Sequence, residues 1–202
     1  MKSSKEIHKI SDQFCNEVYY RTESAMNAID ILIYFRQTKK ETAIKGLTLI
    51  THDLWRADEM RKSILYISPR HALLEMATLI DGNGELSLHL SKQKKNGTHY
   101  KIQKDKLRKL FSSLDDHLFN ILYTELSNLI KRNSHLIDRI LKTRHERVAH
   151  AGKSSYELDK VMLSSVRFPK KKFYKFAMEF QGVIMRVCLA VLAPLEKIDS
   201  DK

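Results

Sequence analysis

Residues 118–152 read LFNILYTELSNLIKRNSHLIDRILKTRHERVAHAG, and the spacing of their apolar side chains decides the fold class. Leu118, Ile121, Leu122, Leu129, Ile130, Leu136, Ile137, Ile140 and Leu141 recur at the interval that lines one face of an α-helix. The pattern predicts one long central helix running toward His150. It should stop near Gly152, because glycine just past a helix end takes the left-handed conformation at little cost.

The same periodicity extends outward in both directions. Ile7, Ile10, Phe14, Val18, Ala25, Ala28, Ile29 and Leu32 predict a long first helix over 7–35. A second helical region spans about Glu41 to Ile67, with a bend at Thr51-His52-Asp53, where the polar side chains can recap the chain. Pro69 suits the first turn of a third helix carrying Ala72, Leu73, Met76, Ala77 and Ile80, which ends at Asp81-Gly82-Asn83-Gly84. A short piece, Leu86 to Leu90, precedes SKQKKNGTHYK, whose charge, Gly and Asn predict an exposed flexible loop at 91–101. Helical spacing resumes at Lys104 through Leu107, Leu110, Phe111 and Leu114. Beyond the central helix, Ser154 to Glu157 has capping-box spacing for a short helix, and Pro169 opens a final one from Lys170 to about Leu192. No repeat, Gly-rich phosphate loop or βαβ rhythm interrupts this order. The expectation is an all-α chain forming a single domain over 1–202.

Composition narrows the partners. Six Gly and three Pro leave few places to punctuate strands, and 43% hydrophobic with 30% charged residues excludes a bulk-disordered or fibrous chain. Lys and Arg outnumber Asp and Glu by 36 to 24, and the formal charge of +12 favours a polyanion: RNA, DNA or anionic lipid. A soluble protein from a lysine-rich proteome would show the same excess. The two cysteines, Cys15 and Cys188, lie far apart in hydrophobic helical contexts, unlike the dense pattern of a secreted disulfide scaffold, and a reducing compartment is expected. The N-terminal residues MKSSKEIHKISDQF carry charge throughout and no signal-peptide core, and the longest apolar stretch, Gly182 to Pro194, is broken by Arg186 and too short to span a bilayer. These features predict a cytoplasmic protein with no membrane association.

Chemistry concentrates at the end of the central helix, in Lys142-Thr143-Arg144-His145-Glu146-Arg147-Val148-Ala149-His150-Ala151-Gly152. Arg braces a phosphoryl group with a planar fork of donors, and His exchanges a proton near neutral pH. At about 100° per residue, Arg144 and His150 stand roughly 120° apart on an ideal helix. Either the backbone leaves the helix near Gly152, or two copies converge across a dimer axis, before one cleft holds both.

Arg144, five intervening residues and His150, with His145 in the polar slot after the Arg, resemble the motif of the HEPN superfamily (higher eukaryotes and prokaryotes nucleotide-binding domains). The ERVAH ending is similar to that of its abortive-infection, AbiU-like branch. So is the helix from Ser68 through Asp81, followed by Leu86-Ser87-Leu88. The likeness covers about Met26 to Leu192, and only the Arg-His motif within it is specific. It implies an antiparallel HEPN-like helical bundle, with extra N-terminal and peripheral helices, that forms a homodimer joining two motifs. It further implies a metal-independent endoribonuclease without a cofactor, used in phage defence or as the toxin of a toxin-antitoxin pair with a cognate antitoxin. In that reading Arg144, His145 and His150 are catalytic, and Lys142, Arg147 and Lys153 bind the RNA backbone.

Blander readings stand beside it. Arg144, Arg147 and His150 could merely complement the negative end of a helix dipole. Other members of the superfamily are catalytically inactive RNA-binding or protein-interaction modules, and a helical nucleic-acid-binding regulator is a further class, though no helix-turn-helix pair is evident. His89, His99, His117 and His135 lack metal-ligand spacing, so no metal site is expected. Trp55 and the Tyr19-Tyr20 pair could stack on bases, yet aromatics at helical spacing usually serve a core or an interface. Lys170-Lys171-Lys172-Phe173-Tyr174-Lys175 reads as a solvated face. Tyr156 departs from the spacing at which relatives are nucleotidylated by an antitoxin.

Overall fold

The computed structural model describes residues 4–81, 86–93, 99–149 and 169–199. Among these residues, seven helices and one hairpin follow in order: α1 (Ser4–Gln37), α2 (Lys40–Thr51), α3 (Leu54–Ile80), β1 (Leu90–Gln93), β2 (His99–Ile102), α4 (Lys104–Leu110), α5 (Asp116–Arg132), α6 (Ser134–Ala149) and α7 (Lys170–Asp199). The chain is thus predominantly helical. The Gly152 stop, the Ser154–Glu157 helix and the glycines of the Asp81–Gly84 turn lie outside the described residues.

The core forms where α1 packs on α3 and α7, α3 packs on α2 and α6, and α5 packs on α7. Phe14, Val18, Ala25, Ile29 and Leu32 of α1 are buried together with Ala72, Met76, Ala77 and Ile80 of α3 and Phe173, Phe176, Phe180 and Ile184 of α7. Each large side chain taken from water contributes about 1.5–3 kcal/mol. The ring of Phe14 meets that of Phe111 edge to face, centroids 5.7 Å apart, which brings the end of α4 against α1.

The bend at Thr51–Asp53 forms as expected. His52 takes a left-handed conformation (φ 55°) and its N–H donates to Thr48 O, closing α2. Asp53 Oδ1 then accepts from the N–H groups of Trp55 and Arg56 at 2.7 and 3.2 Å, which opens α3.

Five expectations are corrected. No helix starts at Pro69; α3 runs through it. Proline removes the N–H that Leu65 O would have accepted. Ser68 Oγ donates to Ile64 O at 2.8 Å just before it, and Pro69 is itself buried in line with the stripe of α3 that packs on α1 and α6, so tertiary packing outweighs the lost bond. Residues 91–93 and 99–101, read as part of a flexible loop, are the two arms of an antiparallel hairpin pairing Leu90 with Ile102 and Lys92 with Tyr100. Its arms of four residues are too short for an alternating pattern to stand out. The central helix is two helices, α5 and α6, divided at Asn133, whose side-chain amide donates to Leu129 O at 2.9 Å and competes with the helical ladder. The final helix continues past Leu192 to Asp199. Last, the cysteines are not independent: α1 and α7 bring Cys15 and Cys188 into a disulfide with Cα atoms 6.5 Å apart, although 173 residues separate them in sequence.

The Asp-to-Ser-Leu passage after α3 is a compact lock. Leu88 N–H donates to Leu79 O at 2.8 Å, and the buried Ser87 hydroxyl donates to the carbonyl of Asp81. His89, with φ 48°, then turns the chain into β1.

Candidate functional site

The sequence-predicted site is carried by the second half of α6. Lys142, Arg144, His145 and Arg147 all lie on helical backbone, which continues to Ala149; His150 and Lys153 lie outside the described residues. The motif's arginine is therefore on the last turns of a helix that reaches the residue before its histidine.

Register divides the two motif residues that α6 carries. The helix buries Leu136, Ile137, Ile140 and Leu141. Position 144 comes three residues after Leu141 and four after Ile140 along the helix. Position 145 comes three residues after Lys142 and seven after Asp138, in line with a different face, the one the hairpin covers.

That second face is organised by Asp138, whose side chain is only 16% exposed. It accepts from Tyr100 Oη at 2.8 Å and from Lys92 Nζ at 3.2 Å, both on the hairpin, and pairs with Lys142 Nζ at 2.9 Å one turn along α6. Burial works against its ionisation, but the hydrogen bonds from Lys142, Tyr100 and Lys92 prevail and hold the carboxyl at a pKa of about 2. Tyr100 is pushed above its ordinary range, first by burial and then by its bond to the carboxylate. Lys142, expected to contact RNA, thus has its ammonium engaged by Asp138. Because that ammonium is 64% exposed the pair is weak, and a phosphate can compete for it. The neighbouring Arg139 guanidinium is pulled down from its usual pKa by burial.

Asp138 and Tyr100 are the residues that sequence reasoning missed. The Asp138–Lys142 half had a signal, an acid four residues before a base on a helix. Tyr100 had none, because it stood in a stretch read as loop.

The weaker candidates sort as follows. Trp55, Tyr19 and Tyr20 are exposed rather than core. In Lys170–Lys175, Phe173 is fully buried while Lys171, Lys172 and Lys175 face outward, a solvated lysine face over a core aromatic. Ser24 Oγ lies 2.8 Å from His71 Nε2, and Glu75 Oε1 lies 3.8 Å from the same nitrogen. A nucleophile relay needs serine and acid on opposite ring nitrogens, so this trio is not arranged for acyl transfer. Among the described residues, no three His, Cys, Asp or Glu side chains gather in a way that could hold a metal ion. No described helix is long and apolar enough to cross a membrane.

Comparison of the chain with protein-family models, curated proteins and solved structures returns no match.

Proposed function

We propose that this protein is a metal-independent endoribonuclease of the HEPN type, with its site at the C-terminal end of α6, acting in phage defence or as a toxin held by an antitoxin. The observation that carries the reading is the placement of Arg144. It stands on the last turns of α6, and the helix runs to the residue before His150.

The chemistry follows from the side chains. His150 takes the proton of a ribose 2′-OH or gives one to the leaving 5′-oxygen, and Arg144 neutralises charge gathering on the phosphorane. The 2′-oxygen bonds to phosphorus as the P–O5′ bond breaks, leaving a 2′,3′-cyclic phosphate and a 5′-hydroxyl. His145 orients the substrate or His150, while Arg147 and Lys153 add positive field along the RNA backbone. A homodimer that joins two motifs would supply both residues to one cleft.

The test is cleavage of single-stranded RNA by the purified protein in EDTA, with DNA of the same sequence as control. Cleavage of RNA alone, lost in His150→Ala and Arg144→Ala, supports the reading. Undiminished cleavage by cleanly purified His150→Ala removes the assignment of His150. RNA that stays intact but bound by the wild type leaves the binding-module reading in its place.

A further inference from the structure

Helices α1 and α7 run antiparallel. Cys15 meets Cys188, and Glu23 Oε1 accepts from Gln181 Nε2 at 3.1 Å. The same register sets the end of α1 beside the start of α7, where the two enclose a groove of about 470 Å³. Asp30 and Ile33 line it from α1, and Lys170, Lys171, Tyr174 and Met178 line it from α7. Its volume falls in the range of small-ligand sites. The floor is apolar: Ile33 and Tyr174 are half-buried against the core, Met178 is 54% exposed, and the lysines contribute their aliphatic stems.

Cations dominate the rim. Lys171 and Lys172 are exposed on α7, and exposed Arg36 stands one turn beyond Ile33 at the end of α1. Among the described residues, no carboxylate pairs with any of these three or with Lys170. Two acids line the groove. Glu179 is held by Arg132 at 3.2 Å and by Lys175 at 3.8 Å, which leaves Asp30 alone opposing the lysines. Across the turn from α1 to α2, Asp58 is taken by Lys40 and Lys62, and Glu41 lines a separate groove along α2. Further along α7, where it faces α5, the cations are also taken: Arg132 by Glu179 and Arg186 by Glu125 at 2.6 Å. Unpaired positive charge is therefore concentrated at the start of α7, over an apolar floor.

An apolar floor with a cationic rim matches a ligand whose every unit carries a flat ring and a negative charge. A single nucleic-acid strand is built this way: its rings lie on aromatic and thioether surface while lysines neutralise the phosphates on either side. A bilayer is a poor match, because a recessed apolar floor does not reach into a membrane. A duplex keeps its rings stacked inside and offers the groove only phosphates. We infer that this groove holds one unstacked base of a single-stranded RNA, with Lys170 and Lys171 on its flanking phosphates. The choice of RNA over DNA rests on the ribonuclease reading; the groove itself uses no residue of α6.

The test is binding of a short fluorescent 2′-O-methyl oligoadenylate, which lacks the 2′-hydroxyl needed for cutting, read by anisotropy with the full chain. Lys170→Ala and Lys171→Ala should each lower the slope of log affinity against log salt by about 0.7. Met178→Glu, at an exposed position, should close the floor to the base and weaken binding about tenfold or more, the scale of one stacked base. Unchanged circular dichroism verifies the fold of each variant. A photoreactive thionucleotide in the strand should cross-link to the peptide that holds Tyr174 and Met178. Variants that bind as the wild type does, or a cross-link that maps elsewhere, overturn the inference. So does displacement of the strand by polyglutamate of equal charge, or a preference for phosphatidylserine vesicles over the strand. Failure of this kind with cutting intact leaves the ribonuclease reading standing. Binding at the groove with no cutting of unmodified RNA removes that reading, and with it the choice of RNA over DNA, but not the groove.

Discussion

Tyr100 on β2 donates its hydroxyl to Asp138 on α6 across 2.8 Å, and with Lys92 of β1 on the same carboxylate this bond fastens the hairpin to the helix that carries Arg144 and His145. Tyr100→Phe removes the donor and keeps the ring. It should cost about 1 kcal/mol of stability, read by urea denaturation with an unchanged slope. If Tyr100→Phe unfolds at the wild-type midpoint, the bond contributes nothing.

Asp138 also shapes the acid limb of stability. Its folded pKa of about 2 lies below the ordinary aspartate value of about 3.9, so its contribution is present above pH 4 and lost as pH falls through 2. Asp138→Asn should be less stable than wild type near neutrality, with the difference shrinking between about pH 4 and pH 2. A difference that stays constant over that range would exclude the linkage.

Ser87→Ala should be costly for so small a change. It removes the hydroxyl that donates to the buried carbonyl of Asp81, and losing a hydrogen bond of this kind costs about 0.5–1.5 kcal/mol. Loosening should be local, appearing as faster amide exchange at Leu88, whose N–H closes the same lock onto Leu79.

RNA binding should weaken steeply with salt, because each phosphate neutralised releases condensed counterions. Arg147→Ala and Lys153→Ala should each lower the slope of log affinity against log salt by about 0.7 for a single strand. Lys142→Ala should lower it less, since Asp138 already holds that ammonium. Equal reductions at all three positions would contradict the ion pair's competing role.

What the sequence made legible were caps and stops written in a few neighbouring residues; what it hid were features set by distant packing, or by one polar side chain inside a periodic run. The recapping at Asp53 was readable because cap and capped N–H groups are two and three residues apart. The end of α3 at Asp81 was readable from the glycines after it. Passage of α3 through Pro69 was not, because the stabilising surface belongs to α1 and α6. Asn133 looked like one polar residue in a periodic run until its side chain was seen bonded to Leu129 O. At the site, Lys142, Arg144, His145 and Arg147 stand on one helix as expected, whereas Asp138's hold on Lys142 depends on burial beneath a hairpin that sequence spacing did not reveal.

The cysteine pair should be seen in solution before any effect is sought. Protein purified without reductant should yield one cross-linked peptide joining Cys15 to Cys188 and no reactive thiol. Cys15→Ser together with Cys188→Ser should lower stability by roughly 4 kcal/mol, the scale expected when a long loop loses its closure. Two reactive thiols in the unreduced native protein would refute the bond.

That bond also changes what kind of object the chain is. With Cys15 joined to Cys188, everything from residue 15 to residue 188 is a covalent ring. A protease that nicks the ring once, wherever it cuts, opens it without releasing a piece. The nicked protein keeps its mass, apart from one added water, until a reductant is supplied, and only then parts into two fragments. Digestion followed side by side with and without reductant therefore distinguishes a chain that has been cut from one that has come apart.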